Sequence, residues 1–350
     1  MATDATSVSI IVLGWNGRDY VDSCLSSLRD QDFALPYEIL FVDNGSTDGT
    51  AEAAAQHEGV AVHRLDRNYG YCMGNNKGVE YARGRYIVFL NQDVVAHRSW
   101  LRELVGAMEC EPAIAAAHAN IIQPWYPEFQ AMERIAPVSA AYTADLSPLG
   151  FAHYRRTSSV NPVNDSLFLH GVSIIVTRAL IDELGYAFDP DMFAYAEDMD
   201  LGLRVRSAGY RTVVATRAVL YHKHTLASAM SYGTFTKTVR IIRNRLLAFW
   251  KCSTWPEFIP LALLTLIGAP LNAGEFGLPP WKRVAFGVLL IAPTIAAACT
   301  LVPAMPPYAG RRRRILATRR VPRWWLLRTM LFDRSALSKM RRPAPQLEYS

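Results

Sequence analysis

Glu38-Ile-Leu-Phe-Val-Asp43, running straight into Asn44-Gly45-Ser46, is a short, continuously apolar segment that ends on a carboxylate and a turn. A run of this length, rich in β-favouring residues and closed by turn formers, predicts a strand buried on both faces. An Ala-rich stretch from about Asp48 to His57 then predicts a helix. The same unit lies upstream: Val8-Ser-Ile-Ile-Val-Leu13 ends in Gly14-Trp-Asn-Gly17, and Tyr20, Val21, Cys24, Leu25 and Leu28 follow at helical spacing. Val60 to Leu65 predicts a third strand and Tyr86-Ile-Val-Phe-Leu90 a fourth, with a helix from about Asn76 to Ala82 between them. Apolar strands alternating with helices imply an α/β fold with a mostly parallel central sheet covered on both faces. Ligands of such sheets bind beyond the carboxyl ends of the strands. Asn16, Asp43, Asn44, Asn91, Gln92 and Asp93 collect there, each just after a strand.

Trp100 to Met108 continues as a helix and Ala113 to Ala119 as a strand, whereas residues 120–165 have no clear period and read as an irregular, substrate-facing region. Leu167 to Val176 returns to β character, and Arg178 to Leu184 is a short helix. Val213 to Ala215 and Ala218 to His222 read as two short strands, and Phe235 to Trp250 as a basic, aromatic helix containing Arg240, Arg243 and Arg245.

Beyond Trp255-Pro256 the composition changes. Phe258 to Ala273 is almost wholly apolar, as is Val284 to Met305 apart from Pro293 and Pro303. A bilayer-spanning helix needs about 20 apolar residues, so the second run is long enough and the first is marginal. Basic clusters on both sides fit a hairpin with both ends cytoplasmic, and equally a helix pair lying in the interface against anionic lipid. From Gly310 onward 12 Lys and Arg face only Asp333 and Glu348. The whole chain carries +6, so residues 1–309 carry a net charge of −4 and the basic character belongs to the tail.

With 51% hydrophobic and 19% charged residues the 350-residue chain can bury a large core. The five cysteines show no CxxC or CxH spacing, which argues against structural zinc and against a disulfide scaffold and favours a reducing compartment. No basic segment precedes the first apolar run, so a secretory signal peptide is not expected.

Phe193-Ala-Tyr-Ala-Glu-Asp-Met-Asp-Leu-Gly-Leu-Arg204 places Glu197, Asp198 and Asp200 in the first turn of a helix, where unpaired N–H groups and the macrodipole stabilise negative charge. A carboxylate facing a cavity there can act as a general base. Asp43, beside a Gly-rich turn and a helix start, suits a base or ribose, with backbone N–H groups receiving phosphate. Asp93 suits a hard divalent cation that takes its other ligands from substrate phosphate.

Val8-Ser-Ile-Ile-Val, Val42-Asp-Asn-Gly-Ser-Thr-Asp-Gly49, Asn68-Tyr-Gly-Tyr-Cys-Met-Gly-Asn-Asn-Lys-Gly78, Phe89-Leu-Asn-Gln-Asp93 and Tyr195-Ala-Glu-Asp-Met-Asp-Leu201 resemble, in order and spacing, the inverting glycosyltransferases of family 2. The nearest branch looks rhamnosyltransferase-like, and the resemblance covers about residues 7–250. It implies a GT-A fold, a nucleotide-sugar donor, a divalent metal (Mg²⁺ or Mn²⁺) and inversion at the anomeric carbon. It makes Asp198 the catalytic base, paired with Glu197, and Asp93 and His222 the metal ligands, with His224 a rival for the second place. Asn16, Asp43, Asn44, Asn68, Gly74, Asn75, Lys77, Asn91 and Gln92 become donor-binding residues; Asn91 departs from the family's acidic consensus.

The resulting expectation has three parts: a GT-A domain over 1–250, a membrane-associated helical hairpin over 251–309 and a basic tail over 310–350. The enzyme would move a sugar, with L-rhamnose favoured by the branch, from a dTDP- or UDP-sugar to a cell-surface polysaccharide or polyprenyl-linked acceptor. It would work at the cytoplasmic face of the bacterial inner membrane, with no nucleic-acid partner. Two other functions are weighed against this one. A sugar-phosphate nucleotidyltransferase would want a basic residue in the loop after the first strand, and Leu13-Gly-Trp-Asn-Gly17 has none before Arg18. An inactive membrane-anchored binding module is disfavoured because Asp43, Asp93 and Asp198 are all present.

Overall fold

The computed structural model describes residues 6–122, 140–146, 152–223, 235–271 and 280–332. Its strands are β1 (Val8–Gly14), β2 (Tyr37–Asp43), β3 (Val60–Arg64), β4 (Tyr86–Asn91), β5 (Val94–Ala96), β6 (Ile114–Ile122), β7 (Ala140–Leu146), β8 (Ala152–Ser158), β9 (Val163–Asp165), β10 (Ser173–Thr177) and β11 (Arg211–His222). One sheet has the order β3-β2-β1-β4-β10-β6-β11-β5, with β9 also paired to β11; β7 and β8 form a separate hairpin. The β3-β2-β1-β4 half is parallel throughout. β10 then runs antiparallel to both β4 and β6, and β5 and β9 run antiparallel to β11. The sheet is therefore mixed: most strands share one direction, and the reversed β10 sits at its centre.

Alternation along β1 builds two cores. Ile10 and Val12 face the helices Arg18–Arg29 and Trp100–Glu109, while Ile11 faces the side that holds Cys72, Met199 and Leu203. Successive side chains point to opposite faces, so a strand buried on both sides must be apolar at every position, as β1 nearly is.

Register sets the site. Gly14 pairs with Asp43 and Leu13 with Asn91, so β1, β2 and β4 end level with one another. The reversed β10 starts at this same edge, where the Asn91 N–H donates to the Val172 carbonyl at 3.0 Å. Gly171 thereby comes beside the loops that follow the parallel strands.

Several expectations change: the β run expected over Leu167–Val176 begins only at Ser173, and the helix expected from about Asp48 to His57 spans only Thr50–Ala54. Within 120–165, read as irregular, β6 continues to Ile122 and β7, β8 and β9 form; residues 123–139 and 147–151 lie outside the described set. The two short strands after Val213 are one strand whose pairing slips between Ala215 and Val219, and that irregularity broke the apolar pattern. The helix expected from about Asn76 starts earlier and spans Gly70–Tyr81, with Gly70 at φ +77°.

At the C-terminus, helices Phe235–Cys252, Trp255–Leu271, Pro280–Thr318 and Trp325–Leu331 follow. The boundary expected at 310 falls inside the long helix. Arg311 pairs with Asp189 and Asp191 at 2.6 Å each, Arg312 donates to the carbonyls of Trp250 and Ser253, and Arg319 meets Glu257 at 2.7 Å. Arg311 therefore ties the long helix to the α/β domain, Arg312 and Arg319 tie it to the two helices before it, and residues 333–350 lie outside the described set.

Candidate active site

The loop after β1 is clasped from two sides. Gln92 accepts from the Trp15 N–H at 3.2 Å and donates Nε2–H to the Trp15 carbonyl at 2.9 Å. Asn16, at φ +44°, donates its N–H to Ser46 Oγ and accepts from the Thr47 N–H on Oδ1, joining this loop to the turn after β2. A Cβ on Gly17 would lie about 2.1 Å from the Gln92 amide, so only glycine lets Gln92 fit under the loop.

Asp43 is buried at the end of β2. Its Oδ2 accepts from the Ser46 N–H at 3.3 Å, while Oδ1 is buried with no hydrogen-bond partner. A buried carboxylate oxygen left open is costly unless a ligand donates to it. The neighbouring residues are committed inside the loop. Asn44 Nδ2 donates to Asn68 Oδ1 and the Gly70 carbonyl, Asn44 Oδ1 accepts from the Tyr69 N–H, and Asn68 Oδ1 also accepts from the Gly70 N–H at 2.7 Å. A Cβ on Gly74 would strike Leu13 Cδ1 at 2.7 Å, so Gly74 is needed for close helix–strand packing. Asn75 is fully buried, donating to the Tyr71 carbonyl with its own Oδ1 open. Lys77 Nζ lies 4.9 Å from the Tyr69 ring centroid, a cation–π contact.

Asp93 and His222 come together as the sequence implied, with Oδ2 and Nε2 3.1 Å apart. β5 pairs with the end of β11 (His222 opposite Val94), and the Lys223 N–H donates to the Asp93 carbonyl at 2.8 Å. His224 lies outside the described residues. Among the described residues no group of three or more His, Cys, Asp and Glu could hold a metal ion. Two adjacent ligands suit a cation that draws most of its shell from a bound diphosphate and water. Asn91 contributes backbone here, its N–H to Val172 and its carbonyl to the Cys24 thiol.

Helix Glu197–Ser207 brings its first turn to the same edge. Gly202 permits this approach, since a Cβ there would lie 2.6 Å from Phe168 Cα. Asp198 Oδ2 accepts from the Gly171 N–H at 3.1 Å and Oδ1 from the Met199 N–H at 2.7 Å. Tyr71 Oη donates to the Gly171 carbonyl at 2.6 Å and so fixes that peptide. Burial raises the Asp198 carboxyl above the usual aspartate range, against the two backbone donors and the Arg245 charge. Glu197 is pushed further, to about 8, by burial and by the Asp198 charge, and its buried Oε2 has no partner. Burial and the neighbouring carboxylate thus favour the neutral form of Glu197 near pH 7.

Behind this turn lies a cluster that sequence reasoning missed. Lys251 Nζ is 2.6 Å from both Asp189 Oδ2 and Asp200 Oδ1, and all three side chains are fully buried. Arg204 Nε adds a bond to Asp200 Oδ2 at 2.9 Å. Burial opposes the charge on Asp200, yet Lys251 and Arg204 more than offset it and hold the carboxyl below its usual range. Gly171, Tyr71 and Lys251 lacked any sequence signal beyond their residue type, because the contacts join segments far apart in the chain.

Residues 9–165 match the model of glycosyl transferase family 2. The chain carries a domain of that family. The domain's curated relatives include the N-acetylglucosaminyl-diphospho-decaprenol L-rhamnosyltransferase of Mycobacterium tuberculosis, 29% identical over 212 residues, which are 54% of this chain and 67% of the relative. Glycosyltransferase AglE of Haloferax volcanii is 31% identical over 113 residues, 31% of this chain and 37% of the relative. The matches take in only 26%, 35% and 37% of the first three curated relatives. Among solved structures, the mannosyltransferase of Pyrobaculum calidifontis in complex with GDP-Man and Mn²⁺ superposes with a TM-score of 0.52 at 19% identity, covering 89% of this chain and 85% of that one. The fold of this family 2 domain is thus the glycosyltransferase GT-A fold.

The Glu197 shift has a signed consequence for stability. A carboxyl raised in the folded state favours folding fully below its unfolded value and loses that contribution as pH climbs through about 8. The melting temperature of the wild type should therefore fall more steeply than that of Glu197→Gln between about pH 5 and about pH 9. Parallel melting curves across that window would show that Glu197 is not held protonated.

Proposed function

We propose that the protein is an inverting glycosyltransferase that moves a sugar from a dTDP- or UDP-sugar to a hydroxyl of a cell-surface polysaccharide or polyprenyl-linked precursor. The observation that carries this reading is the placement of Asp198, held by the Gly171 and Met199 N–H groups beside Glu197, at the strand edge that also holds Asp43 and the Asp93/His222 pair. Asp198 takes the proton of the acceptor hydroxyl as that oxygen attacks the anomeric carbon; two backbone N–H groups and Tyr71, through Gly171, hold its orientation. Glu197, being neutral, adds no second negative charge near the attacking oxygen. Asp43 offers its open Oδ1 to a donor group of the nucleotide. Asp93 and His222 would hold a divalent cation, which when bound offsets charge on the departing diphosphate. L-Rhamnose is the sugar we favour, supported by the named activity of the mycobacterial relative.

We place the enzyme at the cytoplasmic face of a bacterial inner membrane. The support is an apolar helix, Gly287–Thr318, long enough to cross a bilayer, with only 28% of its apolar window buried. Val288, Leu289, Ile295 and Val302 on it, with Ile259 and Leu263 on the preceding helix, present aliphatic surface to the outside. Arg313 and Arg314 follow as exposed cations suited to anionic lipid.

Asp198→Asn should abolish transfer and leave nucleotide affinity within a few-fold, because a base acts on the acceptor proton and adds little to ground-state binding. Transfer at the wild-type rate in that variant would overturn the assignment. The metal reading predicts that Mn²⁺ binds weakly to the free protein and much more tightly with dTDP or UDP present, each raising the other's affinity equally. Equal Mn²⁺ affinity in the two calorimetric titrations would remove Asp93 and His222 from that role. The full chain should pellet with membranes and resist extraction at high salt; complete release by salt alone would leave only electrostatic attachment.

A further inference from the structure

We propose that Asn244 is a positioning residue for Asp198: its buried side-chain amide holds the left-handed turn at Tyr195 and Ala196 from which the base-bearing helix starts. The inference rests on the glycosyl-transfer reading above.

Tyr195 has φ +75° and Ala196 φ +62°, two consecutive non-glycine residues in the left-handed region. A Cβ disfavours that region, and residues held there need surroundings that over-determine them. Helix Glu197–Ser207 supplies no side-chain cap of its own at Ala196. The Glu197 carboxyl takes the Tyr195 N–H, and the carbonyl side of the turn is gripped from helix Phe235–Cys252: Asn244 Nδ2 donates to the Ala194 carbonyl at 3.1 Å and to the Tyr195 carbonyl at 3.0 Å. Both partners are carbonyl oxygens, so the orientation of the amide is fixed. Asn244 is fully buried, and its Oδ1 accepts from Arg243 Nη2 at 3.3 Å.

Asn244 and Lys251 are seven residues apart, two helical turns, and so share a face. One grips Ala194 and Tyr195, the other Asp200, and Asp198 lies between the two attachments. The helix thus splints the first catalytic turn from both ends. Without the amide the turn can relax out of the left-handed region, which would swing Asp198 away from the Gly171 N–H that it meets at 3.1 Å. Misplacement of a reacting group by an ångström can cost about 10²-fold in rate.

The test measures, on the full chain, turnover of whichever dTDP- or UDP-sugar the wild type uses, together with dTDP and UDP affinity. Asn244→Leu should lower kcat by about 10²-fold while donor KM and nucleotide affinity stay within about threefold. Adding Ala196→Gly to that variant should recover about tenfold, since glycine adopts positive φ freely. If Asn244→Leu does not fold, Asn244→Ser, which retains one donor, should show the same split between kcat and KM. A kcat within about threefold of wild type, an equal loss of kcat and nucleotide affinity, or no recovery with Ala196→Gly would overturn the proposal. Asp198→Asn run alongside separates the two levels: if it is inactive while Asn244→Leu is unimpaired, only the positioning role fails. If Asp198→Asn is active, the underlying function fails.

Discussion

Lys251 brings a cation into a fully buried site and meets Asp189 and Asp200 there at 2.6 Å each. Removing one member of such a group strands the others in low dielectric, at a cost of about 3–5 kcal/mol. The cluster therefore fixes where its elements sit. Asp200 stands in the first turn of the helix that bears Asp198, Lys251 ends the Phe235–Cys252 helix, and Asp189 also binds Arg311 of the long C-terminal helix. The α/β domain and the apolar C-terminal helices thus share one electrostatic joint lying directly behind the turn that bears Glu197 and Asp198.

In front of that joint, local fields act differently on two adjacent carboxylates. Backbone N–H groups serve both carboxylates, those of Gly171 and Met199 at Asp198 and those of Tyr195 and Glu197 at Glu197; Glu197 also has an unpartnered buried oxygen and its neighbour's charge against it. Two adjacent carboxyls thus stand in unlike environments. The reversed strand β10 makes this possible, because it delivers the Gly171 N–H to the edge where β1, β2 and β4 end.

The parallel half of the sheet was legible because each of its strands is an apolar run closed by a polar turn, and so were Asp43, Asp93 and Glu197-Asp198, which stand at those ends or at a helix start. Asp93 and His222, which only the family resemblance paired, lie 3.1 Å apart. The work of Asn44, Gly74 and Gln92 was not legible: they were read as donor contacts, whereas Asn44 and Gln92 spend their amides on loop backbone and Gly74 makes room for Leu13. Asn244 and Lys251 stayed hidden for a related reason. They sit in a helix whose basic, aromatic pattern did not tell buried from exposed positions, Arg245, Phe249, Trp250 and Lys251 all being buried, and their partners lie about 50 residues back in the chain.

The most direct test of the account is the anomeric configuration of the transferred sugar, read by NMR on the product before it equilibrates. A base that activates the acceptor for one direct displacement requires the configuration opposite to that of the donor. Retention of the donor's configuration would contradict the role proposed for Asp198 as the base of a single displacement.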